Sequence, residues 1–151
     1  MPFGLPVLPQ PPKLQPLFAD EFGWEALTMT VARHYQSLPF RVRVRTAVFA
    51  DTYGAAAALE HYGARYGLPL PISAQNQYYV WGYGSRDLST VLAVGASEYG
   101  TFKRLYRNVT MIGTFSDERR WVVEGATPIY LCTGPRESRQ RIWEALRWYG
   151  A

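Results

Sequence analysis

From Trp24 onward, short apolar runs alternate with segments of helical period, and this alternation constrains the fold more than any other feature of the chain. Trp24, Leu27, Val31, Tyr35 and Leu38 recur at steps of three and four, one stripe of an α-helix. Asp20 is placed to cap that helix and Pro39 to end it. Arg41, Arg43 and Arg45 alternate with Val42 and Val44 and lead into Thr46-Ala47-Val48-Phe49-Ala50, a buried-strand pattern. Asp51-Thr52-Tyr53-Gly54 interrupts it as a turn. Four consecutive alanines favour a helix over Ala55–Tyr62, stopped at Gly63 or Gly67.

Leu68–Ser73 carries Pro69 and Pro71, so any strand there is short. Gln75–Gly84, polar and aromatic with two glycines, reads as a loop. Thr90–Val94 is a strand ending at Gly95. Ser97–Tyr106 is a short helix with Glu98 near its start and Lys103, Arg104 and Arg107 near its end, as the helix dipole favours. Val109–Phe115 is a strand, and Ser116–Thr127 is a charged loop in which Trp121-Val122-Val123 stands out as apolar. Ile129–Thr133 is a further strand, Gly134-Pro135 turns the chain, and Ile142, Leu146 and Tyr149 share a stripe of a last helix. Strands alternating with helices predict an α/β fold: three layers, with a mostly parallel sheet of about 4–5 strands covered on both faces.

The chain has 151 residues, which matches one domain of ~150. Hydrophobic residues are 48% of it, enough for a core, and charged residues are 19%, too few for a disordered charged tail. Residues 1–16 hold six of the eleven prolines and read as an extended leader or linker, leaving a single α/β domain over 17–151. No apolar stretch approaches the ~20 residues that cross a bilayer, and Met1–Gln10 lacks the basic start and continuous apolar core of a signal peptide. The chain as given therefore reads as soluble. The one cysteine, Cys132, excludes a disulfide framework, and no Cys/His spacing closes a zinc site, so neither metal nor cofactor is expected.

Basic residues outnumber acidic ones sixteen to twelve, and all but Lys13 and Lys103 are arginine. Arginine suits planar anionic partners such as carboxylate and phosphate. A solvated basic surface and a neighbouring anionic one are both open readings, since no basic run is present.

Catalytic motifs are scarce. A triad needs a histidine held by a carboxylate against a nucleophile. His34 lies within the first helix beside core-facing Tyr35, His61 ends the second, and Cys132 lies in an apolar strand. No catalytic residue is assigned. The turn after the first strand carries one glycine where a dinucleotide site wants three. Ligands of open sheets still gather beyond strand ends, which directs attention to Asp51–Gly54 and Gly95–Glu98. Asp51 suits either a hydroxylated ligand or capping of the next helix. In Gln75–Gly84, amides beside Tyr78, Tyr79, Trp81 and Tyr83 suit sugars, with ring faces on sugar faces and amides on hydroxyls; packing beneath the sheet is the alternative. Asn108-Val109-Thr110 fits a glycosylation sequon, a match of low specificity.

Phe18-Ala-Asp-Glu-Phe-Gly-Trp24, Tyr53-Gly54, Tyr66-Gly67-Leu68-Pro69, Ser73, Asn76, Trp81-Gly82 and the late segment Pro128–Arg136 follow one another in an order that carries a resemblance over nearly all of the chain. In that order they resemble the C-terminal extracytoplasmic domain of bacterial multi-pass glycosyltransferases of the dolichyl-phosphate-mannose protein mannosyltransferase-like type. The leader resembles the stretch after their last membrane helix. The resemblance implies a domain on the extracytoplasmic (periplasmic) face of a bacterial cytoplasmic membrane, beside a membrane-embedded catalytic part that uses a polyprenyl-phosphate sugar. The catalytic carboxylate is then expected in that other part, Met1 marks where a fragment begins, and this chain alone is catalytically silent. The family's Asn-Tyr-Gly-Glu-Ala-Gly-Ala is here Thr52–Ala58, and its Ser-Gly-His-Asn is here Ser73–Asn76, so Ala55 and Gln75 stand where the family has glutamate and histidine.

The candidate binding residues are Asp51, Thr52, Tyr53, Gly54, Ser73, Gln75, Asn76, Tyr79, Trp81 and Gly82. The expected role is help in binding a glycan acceptor or lipid-linked sugar donor. The alternative is a free-standing α/β domain that binds a sugar or nucleotide with the same loops. Nucleic acid through Arg41, Arg43, Arg45 and the tyrosines is a third reading; it would need a contiguous basic face and a steep salt dependence, and nucleic acid is not among the expected partners.

Overall fold

In a computed structural model the fold is described over residues 23–95, 97–117 and 126–148. The leader, Asp20, Trp121–Val123 and Tyr149 lie outside these residues. Helix α1 (Trp24–Ser37) buries Leu27, Val31 and Tyr35, with Trp24 and Leu38 packed at the margin, as the stripe predicts. Full burial of Leu27 and Val31 contributes about 1.5–3 kcal/mol each. One short helix, α2 (Phe40–Arg43), begins directly after Pro39. It takes up the first part of the Arg/Val alternation that leads into the strand, with Pro39 as its N-cap.

Strand β1 (Thr46–Ala50) is fully buried, and helix α3 (Tyr53–Gly63) follows, extended by a 3-10 turn over Ala64–Tyr66. Helix α4 (Gln77–Trp81) is a single turn inside the segment expected to be loop. Then come β2 (Thr90–Val94), α5 (Tyr99–Leu105), β3 (Tyr106–Phe115), β4 (Thr127–Pro135) and α6 (Arg139–Leu146). The short strand expected over Leu68–Ser73 is reduced to a parallel bridge between Ile72 and Phe49.

The sheet has the order β1-β2-β4-β3. Strands β1 and β2 are parallel, whereas β4 is antiparallel to both β2 and β3. The expected mostly parallel sheet is therefore corrected to a mixed one of four strands. Residues 116–126 are all that separate β3 from β4. A parallel connection needs a crossover of about a dozen or more residues, usually with a helix, so these strands pair antiparallel instead.

Successive residues of β1 face opposite ways. Val48 and Ala50 join the apolar cluster with α1 and α3, while Ala47 and Phe49 join the one that takes Phe102 from α5 and Ile142, Trp143 and Leu146 from α6. Cys132 is fully buried in the second cluster. Tyr106 is buried there too, with its hydroxyl donating to the Leu88 carbonyl at 2.7 Å.

Candidate functional site

The ten candidate residues fall into two groups. The first gathers where β1 and β2 end. Thr52 caps α3, its Oγ1 accepting the Ala55 N–H at 3.2 Å, so the capping role open to Asp51 belongs to its neighbour. Asp51 instead reaches across to the loop after β2, where Oδ2 accepts the Ser97 hydroxyl at 2.7 Å and the Ser97 N–H at 3.3 Å. Gly95, at φ 112°, makes this approach possible, because a Cβ there would collide with the Asp51 carboxylate.

Gln75 is 3% exposed and Ser73 is 0% exposed. The Gln75 side-chain oxygen accepts the Tyr53 N–H at 2.7 Å, and Ser73 Oγ accepts the Gln75 N–H at 3.4 Å. Gly54 lies against Trp24, where a Cβ would sit 3.4 Å from the indole. The hydrogen bonds give Gln75 and Ser73 structural work that spacing alone does not reveal. Tyr53 is exposed.

The second group surrounds α4. Asn76 precedes the helix at φ 50°, ψ −126°, a conformation that favours glycine, and its N–H donates to the Trp148 carbonyl at 3.1 Å. Replacing Asn76 therefore disturbs the backbone as well as any contact. Tyr79 turns inward and stacks on Trp143, ring centroids 5.4 Å apart and nearly coplanar at 4°, with the Arg147 guanidinium 5.8 Å from its ring. Trp81 turns outward and is 64% exposed, held edge-on by Tyr78 at 4.9 Å.

Trp81 and Gly82 edge a shallow groove of about 200 Å³, which also takes Glu60, Leu70, Tyr78 and Arg86. Enclosed small-molecule pockets run to about 300–1,000 Å³, so this groove suits a ring laid against its rim. Tyr78 donates its hydroxyl to Glu60 at 2.8 Å. Burial, then the neighbouring carboxylate, pushes the phenol up to about 12, so it remains a donor at neutral pH. Arg86 donates to the Leu70 carbonyl at 2.7 Å, and burial draws its pKa down. Glu60, Tyr78 and Arg86 are absent from the candidate set. Arg86 follows the aromatic run by two residues and is within reach of a sequence reading, whereas Glu60 lies in α3 and only the fold brings it to the groove.

Acid–base geometry is sparse among the described residues. The His34 ring sits against Gly113, and the exposed His61 packs edge-on against Tyr62. Burial pushes the Cys132 thiol up to about 12, which leaves it unionised and unreactive at neutral pH. No group of His, Cys, Asp and Glu among the described residues could hold a metal ion. No described helix is long and apolar enough to cross a membrane. Compared with family models, with curated proteins and with solved structures, the chain finds no match.

Proposed function

We propose that this chain is an accessory domain of an integral-membrane glycosyltransferase on the extracytoplasmic face of the membrane. In this reading it binds a glycan acceptor or lipid-linked sugar donor and leaves catalysis to the membrane-embedded part of the parent protein. The observation that carries the reading is the rim of the groove. Trp81 offers an exposed indole beside the Glu60 carboxylate, which can accept sugar hydroxyls, while Tyr78 and Arg86 brace the rim through Glu60 and the Leu70 carbonyl. The ordered resemblance of Tyr53-Gly54, Ser73, Asn76 and Trp81-Gly82 to the mannosyltransferase-like domains supports the same conclusion. In the same reading, Ala55 and Gln75, both buried, stand in place of glutamate and histidine and supply no acid–base group to a ligand.

The test is calorimetric titration of the domain with mannose- and glucose-containing oligosaccharides and with a short-chain polyprenyl-phosphate-mannose. Binding is expected to weaken by roughly tenfold in Trp81→Ala, a change of about 1.4 kcal/mol, with the thermal midpoint unchanged. Equal affinity in wild type and variant, or no binding of any of these probes, overturns the reading.

A further inference from the structure

The register of the sheet places one row of residues, Thr46, Thr90, Thr133 and Asn108, side by side at one end of all four strands. Immediately beyond that row the chain is basic. Arg45 precedes Thr46 and Arg107 precedes Asn108. The Arg136 N–H donates to the Leu105 carbonyl at 2.8 Å, which brings Arg136 beside Arg104 and Arg107. Strands sit ~4.8 Å apart, so from β1 to β3 this end of the sheet is roughly 15 Å wide.

Arg41, Arg45, Arg104, Arg107 and Arg136 are exposed, and none makes an ion pair with a described residue. The acidic residues close to this end are otherwise engaged. Asp87 Oδ1 accepts from the N–H and hydroxyl of Ser89, and Glu137 pairs with Arg141 at 3.5 Å. Among the described residues, the opposite end of the sheet carries Asp51 and Asp117.

Helix α2 adds a second kind of chemistry at the basic end. Phe40 is 68% exposed and Val44 59%, each next to an exposed arginine. Arg43 folds back to donate to the Gln36 carbonyl at 3.0 Å and to its side chain at 2.8 Å, which braces the turn against α1. A rigid turn with two outward apolar side chains flanked by cations is suited to an interface where hydrocarbon lies just beneath anionic headgroups. A nucleic-acid duplex would meet the arginines but leave Phe40 and Val44 without apolar partners; a single strand could stack a base on Phe40 but would leave Val44 uncovered.

We infer that this end of the domain is a docking surface for an anionic lipid bilayer, with Phe40 and Val44 entering the headgroup boundary and Arg41, Arg45, Arg104, Arg107 and Arg136 meeting lipid phosphates. The inference rests on charge, exposure and register, and holds whichever ligand the Trp81 groove takes.

The experiment is co-sedimentation of the full 151-residue chain with vesicles of phosphatidylcholine alone, or with about 30% phosphatidylglycerol. Binding is expected to the anionic vesicles only, and to fall as salt rises from about 0.1 M to about 1 M, where the Debye length shrinks from ~10 Å to ~3 Å. The double variant R41A/R45A is expected to bind roughly thirtyfold more weakly. Phe40→Ala should also weaken binding, with helical circular dichroism unchanged. Thr114→Glu with Ser116→Glu makes the same change in net charge near the other end of the sheet and should bind as wild type does.

Four results would overturn the inference. They are no vesicle binding, equal binding to neutral vesicles, equal weakening by T114E/S116E, and displacement of the vesicles by single-stranded DNA at equal phosphate concentration.

Discussion

The side-chain oxygen of Gln75 accepts the backbone N–H of Tyr53 at 2.7 Å, joining two loops that lie twenty-two residues apart in the chain. The Gln75 side chain is buried while Tyr53 is exposed, so the bond is partly shielded from water. It ties the start of α3 to the segment that leads into α4, and so fixes the two halves of the candidate site relative to each other.

Gln75→Leu keeps the bulk and removes the acceptor. An unsatisfied, partly buried N–H costs about 1–3 kcal/mol, so the urea midpoint should fall accordingly. Hydrogen exchange at the Tyr53 amide should accelerate more than at the amides of α1. An unchanged exchange rate at Tyr53 would show that the bond does not hold the loop.

A second expectation concerns Gly95. An alanine there must adopt φ 112° and drive its Cβ into the Asp51 carboxylate. Strain and overpacking together should cost about 3 kcal/mol. Adding Asp51→Ala removes the collision but not the backbone strain, so the double variant should recover part of the loss. A double-mutant cycle on chemical unfolding measures this; the coupling should lie within ~0.5–3 kcal/mol. Strictly additive effects would mean that the two residues do not meet.

A third expectation is alkaline. Burial pushes the Cys132 thiol up to about 12, whereas an unfolded thiol ionises near ~8.5. The unfolded state therefore holds fewer protons once pH passes ~8.5. The stability this site contributes is fully present below that pH and is lost as pH rises toward about 12. Tyr78, raised to about 12 by burial and by Glu60, adds a similar loss above ~10. Cys132→Ala should show a shallower decline of urea midpoint between pH ~8.5 and ~10, although it is less stable at pH 7. In the wild type, a thiol reagent should label Cys132 only as fast as the domain opens. Prompt labelling at neutral pH would contradict the buried thiol.

Much of the local structure was legible residue by residue. The Trp24–Leu38 stripe, the alanine helix and the apolar runs of β1 and β2 appear where their periods place them. Each is decided by side chains a few positions apart. Strand direction was less legible, although the shortness of the 116–126 connection was a usable signal against a parallel β3–β4 pair. At the candidate site, Trp81 is exposed on its groove, while Tyr79, in the same aromatic run, faces Trp143. Nothing in the run distinguishes the two, because the distinction depends on α6, which arrives sixty residues later in the chain.

By itself, the order of residues in this protein settled which segments could be helix or strand, because propensity and period act over single turns and single pleats. Only the tertiary structure decided which way β4 runs, which aromatic meets solvent, and that arginines from α2, α5, β3 and the turn before α6 share one end of the sheet. These outcomes depend on contacts between distant segments, whose free energy exists only once the chain has closed on itself.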